Sequence, residues 1–299
     1  MSVTGETTKD AVLITGASSG LGLETAVYLA ECGFQVYATM RDLSRQGPLD
    51  REAARRNVHL QVLQLDVTDQ TSIQAAVTTV IEQSGGIYGL VNNAGINIGG
   101  YFEDLSEEEI RQVFEVNIFG TMAVTRAVLP YMRVARRGRI IIMSSVGGKI
   151  ASLGATPYCA SKFALEGFGE SLAQEVRPFG VYVSLLEPGS VKTDLYGRNR
   201  RVAARALDPQ GPYYEWFQRL QELMDQLART PATSAVEVAK AVHHTLAAKR
   251  PRLRHVVGRR SKLLITLRRY LPGELFERIW TREAVRRVTE PKSSSEGLI

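Results

Sequence analysis

Short aliphatic and β-branched runs alternate along this chain with longer segments whose apolar residues recur at helical spacing. The runs Ala11–Thr15, Phe34–Thr39, Val58–Leu65, Gly89–Val91, Arg139–Ser144, Val181–Leu186 and Leu253–Val257 read as strands. They are apolar at successive positions, as strands buried on both faces must be. Between them, Leu21–Cys32, Gln70–Gln83, Glu107–Arg133, Tyr158–Val176 and Ser234–Ala248 read as helices, with Asp69, Ser106 and Ser234 as N-caps. Gly47-Pro48 leaves room for only a short helix after the second strand. Strands that alternate with helices predict parallel β-α-β units, hence an α/β, doubly wound, Rossmann-type sheet of seven strands. The expected organisation is one domain over residues 1–258, followed by an extension over 259–299.

Two segments break the alternation. Within 190–230, after the Pro209-Gln210-Gly211-Pro212 interruption, Tyr213, Trp216, Phe217, Leu220, Leu223, Met224 and Leu227 recur at helical spacing. That stripe suits either a lid over an apolar pocket or an amphipathic helix docked on the core. Arg259–Val288 is basic and carries a second stripe of Leu263, Leu264, Leu267, Leu271, Leu275 and Ile279. Ser293-Ser294-Ser295 has the composition of a disordered end.

Composition narrows the function classes. With 299 residues, 44% of them hydrophobic, the chain can bury a sizeable core. Two cysteines exclude a disulfide framework, and the four histidines show no metal-ligand spacing, so no metal is expected. Residues 1–9 lack the apolar core of a signal peptide, and the uncharged run Gln83–Phe102 is broken by asparagines and glycines. The expectation is a cytoplasmic protein. Its net charge of +6 is unevenly placed: residues 249–292 carry +10 and the remainder −4. That segment suits either peripheral contact with an anionic membrane or helices with a solvated basic face. Nucleic acid has no supporting motif beyond charge.

Thr15-Gly16-Ala17-Ser18-Ser19-Gly20-Leu21-Gly22 joins the first strand to the first helix. Glycines there let backbone amides approach a pyrophosphate that the helix N-terminus attracts. The same run would also make a tight turn without a ligand. An acid near the end of the second strand would hold an NAD ribose, whereas Arg would accept the 2′-phosphate of NADP. Met40 stands eighteen residues after Gly22, at the acid's place, and Arg41 follows. NADP(H) is the expected cofactor, the other reading of Arg41 being a surface charge.

Tyr158 and Lys162 fall at i and i+4, on one helical face. A phenol titrates near 10, and lowering that by about three pH units corresponds to roughly 4 kcal/mol, which a neighbouring ammonium can supply. Asp66, Asn92-Asn93-Ala94-Gly95 and Ser144-Ser145 end the third, fourth and fifth strands, at the carboxyl edge where open α/β sheets bind ligands. Asn117 places an amide on an otherwise apolar helix face.

With this ordered set, the sequence resembles the short-chain dehydrogenase/reductase family from residue 11 to about 257. Ser145 stands thirteen residues before Tyr158, the interval typical of that family. Around Val36–Leu43 and Tyr158–Gly167 the chain is similar to members acting on hydroxysteroids and retinoids. The resemblance implies reversible hydride transfer, with Tyr158 as proton donor, Lys162 its activator and ribose ligand, and Ser145 holding the carbonyl oxygen. Asn117 would position a water beside Lys162. It further implies cofactor contacts from Gly16, Ser18, Ser19, Gly20, Leu21, Gly22, Asp66, Val67, Asn93, Ala94, Gly95, Pro188, Gly189, Val191 and Thr193. A lipophilic small-molecule substrate and a homodimer or homotetramer through the Glu107–Arg133 and Tyr158–Val176 helices belong to the same expectation. The alternatives are a 3-keto lipid reductase at a membrane surface and a non-catalytic cofactor sensor, although a sensor has no need to keep Tyr, Lys and Ser together.

Overall fold

A computed structural model describes residues 10–191, 200–229 and 233–290. All seven expected strands form one sheet, every pair parallel: β1 (Ala11–Ile14), β2 (Gln35–Met40), β3 (Gln61–Gln64), β4 (Gly89–Asn92), β6 (Gly138–Met143), β7 (Val181–Pro188) and β9 (Arg254–Val257). Their order across the sheet is β3-β2-β1-β4-β6-β7-β9. The chain winds outward from β1 in both directions, so the order reverses between β1 and β4. Such a switch point leaves a crevice beyond the carboxyl ends of the strands.

Side-chain alternation along the buried strands feeds two cores. Leu13, Tyr37, Leu90, Ile140 and Ile142 face one side. They pack under α3 (Gln70–Ser84), α5 (Thr121–Val134) and α6 (Thr156–Val176). Val12, Ile14, Val36, Ala38, Val91 and Ile141 face the other side, under α1 (Gly20–Glu31) and α8 (Ala235–Ala247). The short helix after β2 is α2 (Gly47–Arg55). Asp69, Ser106 and Ser234 all cap as their sequence context implies, and the last two form complete capping boxes with Glu109 and Glu237.

Two features depart from the sequence reading. The long helix from Glu107 is divided: α4 (Glu107–Phe114) runs into a π-helical turn at Glu115–Gly120 before α5 continues. Hydropathy hardly registers one inserted residue, and such π turns concentrate at functional sites. A second, two-stranded parallel ribbon joins β5 (Ile98–Gly99) to β8 (Arg201–Val202). Two-residue strands lie below what periodicity can detect.

The late segments bear on alternatives that the sequence left open. In α7 (Tyr214–Arg229), Phe217 and Leu220 are buried in a small third core with Ile98, Leu105, Val113, Ala203 and Val288. Among the described residues, α7 contributes no side chain to the main cleft. The apolar face of α7 is thus docked on the body, while Val191, Arg200 and Arg201 of the same 190–230 segment line the cleft. The extension folds as α9 (Arg259–Tyr270) and α10 (Gly273–Thr289). Phe276 and Val288 are buried, Trp280 Nε1 donates to the Ala151 carbonyl at 2.9 Å, and Arg219 of α7 donates to the Val288 and Thr289 carbonyls. These helices are part of the packed body.

Candidate active site

The glycine loop owes its shape to two left-handed residues, Gly16 (φ 70°) and Gly20 (φ 57°). At Gly22 a Cβ would lie 2.3 Å from the Gly16 carbonyl oxygen and 2.5 Å from Asn93 Nδ2, so no side chain fits there. Asn93 Nδ2 donates to the Thr15 and Gly16 carbonyls at 2.9 and 3.0 Å, while Thr15 Oγ1 accepts from the backbone N–H groups of Asn93 and Ala94. The end of β4 thereby clamps the loop. The Asn93 amide expected on the cofactor is spent on the loop itself, although the residue still lines the cleft.

That cleft has a volume of about 500 Å³. Of the expected cofactor residues, Gly16, Ser18, Ser19, Gly20, Leu21, Arg41, Asp66, Val67, Asn93, Ala94, Gly95, Pro188, Gly189 and Val191 line it, together with Ser145, Tyr158 and Lys162. Gly22 stands behind the wall as packing. Thr193 lies outside the described residues. The cradle fits a dinucleotide: its loop admits close approach of backbone, and its length spans the switch point from β2 to β7.

At the β2 end, the Arg41 side chain is 71% exposed and its Nε lies 4.0 Å from Asp66 Oδ2. Asp42 also lines the cleft, its carboxylate accepting from Ser44 N and Oγ at 3.0 and 2.7 Å, and these bonds hold it below the usual range. Arg45 also lines this end, a residue the sequence reading missed because it sits in a short 3₁₀ turn. Where a ribose would lie, the cleft therefore presents the Arg41 and Arg45 side chains together with an Asp42 carboxylate bonded to Ser44.

Lys162 is 5% exposed, and its Nζ donates to the Met143 carbonyl at 2.8 Å while lying 5.5 Å from the centroid of the Tyr158 ring. Burial pulls its ammonium down to about 8. It stays protonated at neutral pH beside the phenol. Both candidate serines line the cleft, but Ser144 is buried and its Oγ donates to Glu166 Oε1 at 2.6 Å, whereas Ser145 Oγ accepts from Gly147 N. Geometry thus separates Ser145 from its neighbour, in the sense that the interval to Tyr158 suggests.

Asn117, fully buried on the π turn, is hydrogen-bonded at every polar atom of its side chain. Oδ1 accepts from Ile96 N at 2.8 Å, and Nδ2 donates to the Ile96 carbonyl and Ser161 Oγ at 3.0 and 2.9 Å. Its amide therefore stitches the Asn93–Ile96 turn to α6. A Cβ on Gly95 would lie 3.3 Å from Asn117 Oδ1 and 3.7 Å from Lys162 Nζ, so Gly95 keeps both groups close to one point.

Behind the cleft stands a cluster that the sequence reading missed, because its members come from four separate segments. Glu166 accepts from Ser144, Lys149 and Arg254 at 2.6 to 2.9 Å. Glu187, 1% exposed, lies 3.8 Å from Lys149 and 3.7 Å from Arg254, and its Oε1 has no hydrogen-bond partner. Burial, and then the adjacent Glu166 charge, push the Glu187 carboxyl up to about 7. Between about 4.5 and 7 the folded chain therefore holds a proton that the unfolded chain releases, and stability falls as pH rises through that window. Glu187→Gln should flatten this decline, leaving the variant more stable than the parent at pH 7 by on the order of 1 kcal/mol. Urea unfolding at pH 5 and 7 measures it. An equal pH slope in the two proteins refutes the assignment.

A profile of the short chain dehydrogenase family matches residues 10–203. The chain belongs to this family. It is 38% identical over 279 residues to retinol dehydrogenase 8 of Bos taurus, covering 89% of this chain and 88% of that one. It is 41% identical over 266 residues to human 17-beta-hydroxysteroid dehydrogenase type 1, with 86% and 80% covered. A 3-ketodihydrosphingosine reductase of Bacteroides thetaiotaomicron is 36% identical over 268 residues, with 89% and 94% covered. Among solved structures, a short-chain dehydrogenase from Streptomyces avermitilis superposes with a TM-score of 0.76 at 31% identity, over 94% of this chain and 99% of the other. Cofactor choice varies among such neighbours. A metagenomic short-chain oxidoreductase is complexed with NADP (TM-score 0.65, 27% identity, 83% and 96% covered), and a Burkholderia phymatum member with NAD (0.74, 25%, 95% and 98%). The chain is an oxidoreductase of the class acting on alcohols and carbonyls.

Proposed function

We propose that this short-chain dehydrogenase interconverts a carbonyl and an alcohol on a lipophilic, steroid- or retinoid-like substrate with NADP(H). The observation that carries the reaction is the convergence of Tyr158, buried Lys162 and Ser145 on one cleft behind the glycine cradle. A bound nicotinamide supplies or accepts the hydride. Tyr158 delivers the proton to the oxygen that becomes the alcohol, and takes it back in the reverse direction. Lys162 keeps a positive charge beside the phenol, favouring its anion, and reaches the ribose side of the cleft. Ser145 donates its hydroxyl to the developing oxyanion, freed for that work because Ser144 takes the contact with Glu166. Asn117 acts as a positioning residue: through Ile96 and Ser161 it fixes the β4 turn relative to α6 and thus to Lys162.

Arg41 supports NADP(H), since a 2′-phosphate would meet a guanidinium there while Asp42 is held on Ser44. Arg41→Ala should raise KM for NADPH roughly tenfold and leave KM for NADH within about twofold. Steady-state kinetics with both cofactors reads this. An equal effect on both would remove Arg41 from phosphate recognition.

The substrate class rests on the similarity to retinol and hydroxysteroid dehydrogenases, and the similarity to a 3-ketodihydrosphingosine reductase favours 3-keto lipids as the second reading. A screen of ketosteroids, retinal, 3-keto lipids and simple ketones, each with NADPH and NADH, separates the two. The exposed Phe119, Tyr131, Val134 and Phe163 support a homodimer or homotetramer through α5 and α6. Among the described residues no helix is long and apolar enough to cross a membrane, and the proposed location is cytoplasmic, with peripheral attachment.

A further inference from the structure

The outer face of the C-terminal helix pair is apolar where solvent should favour polar groups. On α9, Leu263, Leu267 and Tyr270 follow one another at i, i+4 and i+7, and Leu263 and Tyr270 are 61% and 75% exposed. On α10, Leu275 and Ile279 repeat the i, i+4 spacing, with Ile279 56% exposed. The inner faces are occupied: Phe276 and Val288 are buried, Trp280 is bonded to Ala151, and Ser261 packs against Gly189. The exposed rows are therefore a surplus beyond what the fold consumes.

Cations border both rows. At about 100° per residue, Arg259 and Arg260 flank the α9 row on either side, and Arg282 and Arg278 lie about 20° and 60° to one side of the arc that holds Leu275 and Ile279. All four are exposed, and none has a carboxylate within salt-bridge distance among the described residues. Arg268, Arg286 and Arg287, by contrast, pair with Glu277 or Glu283. Exposed leucines bordered by unneutralised guanidiniums are what an anionic bilayer complements. The apolar side chains enter the acyl boundary while the arginines reach the headgroup phosphates. An acidic protein surface would match the charge but leave the leucines in water.

We propose that the α9–α10 pair docks this enzyme on anionic phospholipid membranes, through Leu263, Leu267, Tyr270, Leu275 and Ile279 inside a rim of Arg259, Arg260, Arg278 and Arg282. The inner face of the same pair touches Gly189 and Ala151, next to the cleft, so docking brings the cleft beside the lipid surface. The inference is independent of which substrate the cleft takes.

The test is co-sedimentation of the full chain with vesicles of phosphatidylcholine alone and of phosphatidylcholine mixed with phosphatidylglycerol. Binding is expected to the mixed vesicles, to weaken as salt is raised, and to fall at least about tenfold in the Arg259→Gln/Arg260→Gln/Arg278→Gln/Arg282→Gln variant. Leu263→Ser/Leu267→Ser should lose binding at low salt as well. Because all six side chains point to solvent, circular dichroism and cofactor binding should match the parent, which separates lost docking from lost folding. Equal binding to both vesicles, or undiminished binding of the four-fold variant, overturns the proposal. So does lipid-independent self-association that the leucine variant abolishes, which would make a second copy the occupant.

Discussion

Tyr158→Phe is expected to lower kcat/KM about a thousandfold on any verified substrate while NADPH affinity stays within about threefold. The substitution removes one oxygen and keeps the ring that packs at the head of α6, so the expected loss belongs to proton transfer. Ser145 and the cofactor cradle remain, and with them the oxyanion contact and the positioning of both reactants. A measurable residual rate should therefore persist. Stopped-flow reduction under single-turnover conditions reads the chemical step directly. Retention of near-normal turnover would sink the assignment of Tyr158 as proton donor, whatever the substrate.

Lys162→Met should be nearly as damaging to activity, by about a hundredfold or more, yet should not destabilise the fold. Burial holds the Lys162 ammonium down to about 8, against 10.5 in its ordinary state. At pH 7 the residue is charged in both folded and unfolded chains, so the folded state carries the full desolvation cost, roughly 3 kcal/mol. That cost shrinks as pH rises from about 8 toward 10.5, because the unfolded chain then binds more protons than the folded one. A methionine of similar length avoids it and gives up one bond to the Met143 carbonyl, worth about 1 to 3 kcal/mol for a charged donor. The melting temperature at pH 7 should consequently equal or exceed that of the parent, and its rise toward pH 10 should vanish. A lysine kept only for structure would give the opposite: lower Tm and preserved kcat. Differential scanning calorimetry and kinetics on the same preparation decide between them.

Both predictions rest on one arrangement, a buried ammonium held beside a phenol at the cleft. The Glu166–Glu187 cluster extends the idea behind the cleft. Two carboxylates and the cations Lys149 and Arg254 brace the strand ends that carry Ser145 and Gly189, and Glu187 remains one hydrogen bond short.

The strands were legible because parallel strands covered on both faces must be apolar throughout, and each of the seven runs appears in the sheet. The caps at Asp69, Ser106 and Ser234 were legible because a cap is a local bond. Gly16, Gly20, Tyr158 and Lys162 were legible because their chemistry is written in short spacings. The π turn that carries Asn117 was not, since one extra residue in a helix leaves the apolar pattern almost intact. Nor was the outcome at α7, whose Tyr213–Leu227 stripe fits a lid as well as a docked helix until Phe217 and Leu220 are seen in the third core.

By itself the sequence determined the parallel sheet, the phosphate cradle and the Tyr–Lys pair, all of which follow from periodicity and near-neighbour spacing. Only tertiary structure showed what sets the two serines apart, because Glu166, which binds Ser144, lies twenty-two residues from it and reaches it across the fold. It also decided that Asn93 clamps the glycine loop, that the Asp42 carboxylate is bonded to Ser44, and that Lys162 is buried. Contacts between segments distant in sequence leave no periodic signal, and burial is a property of the assembled chain.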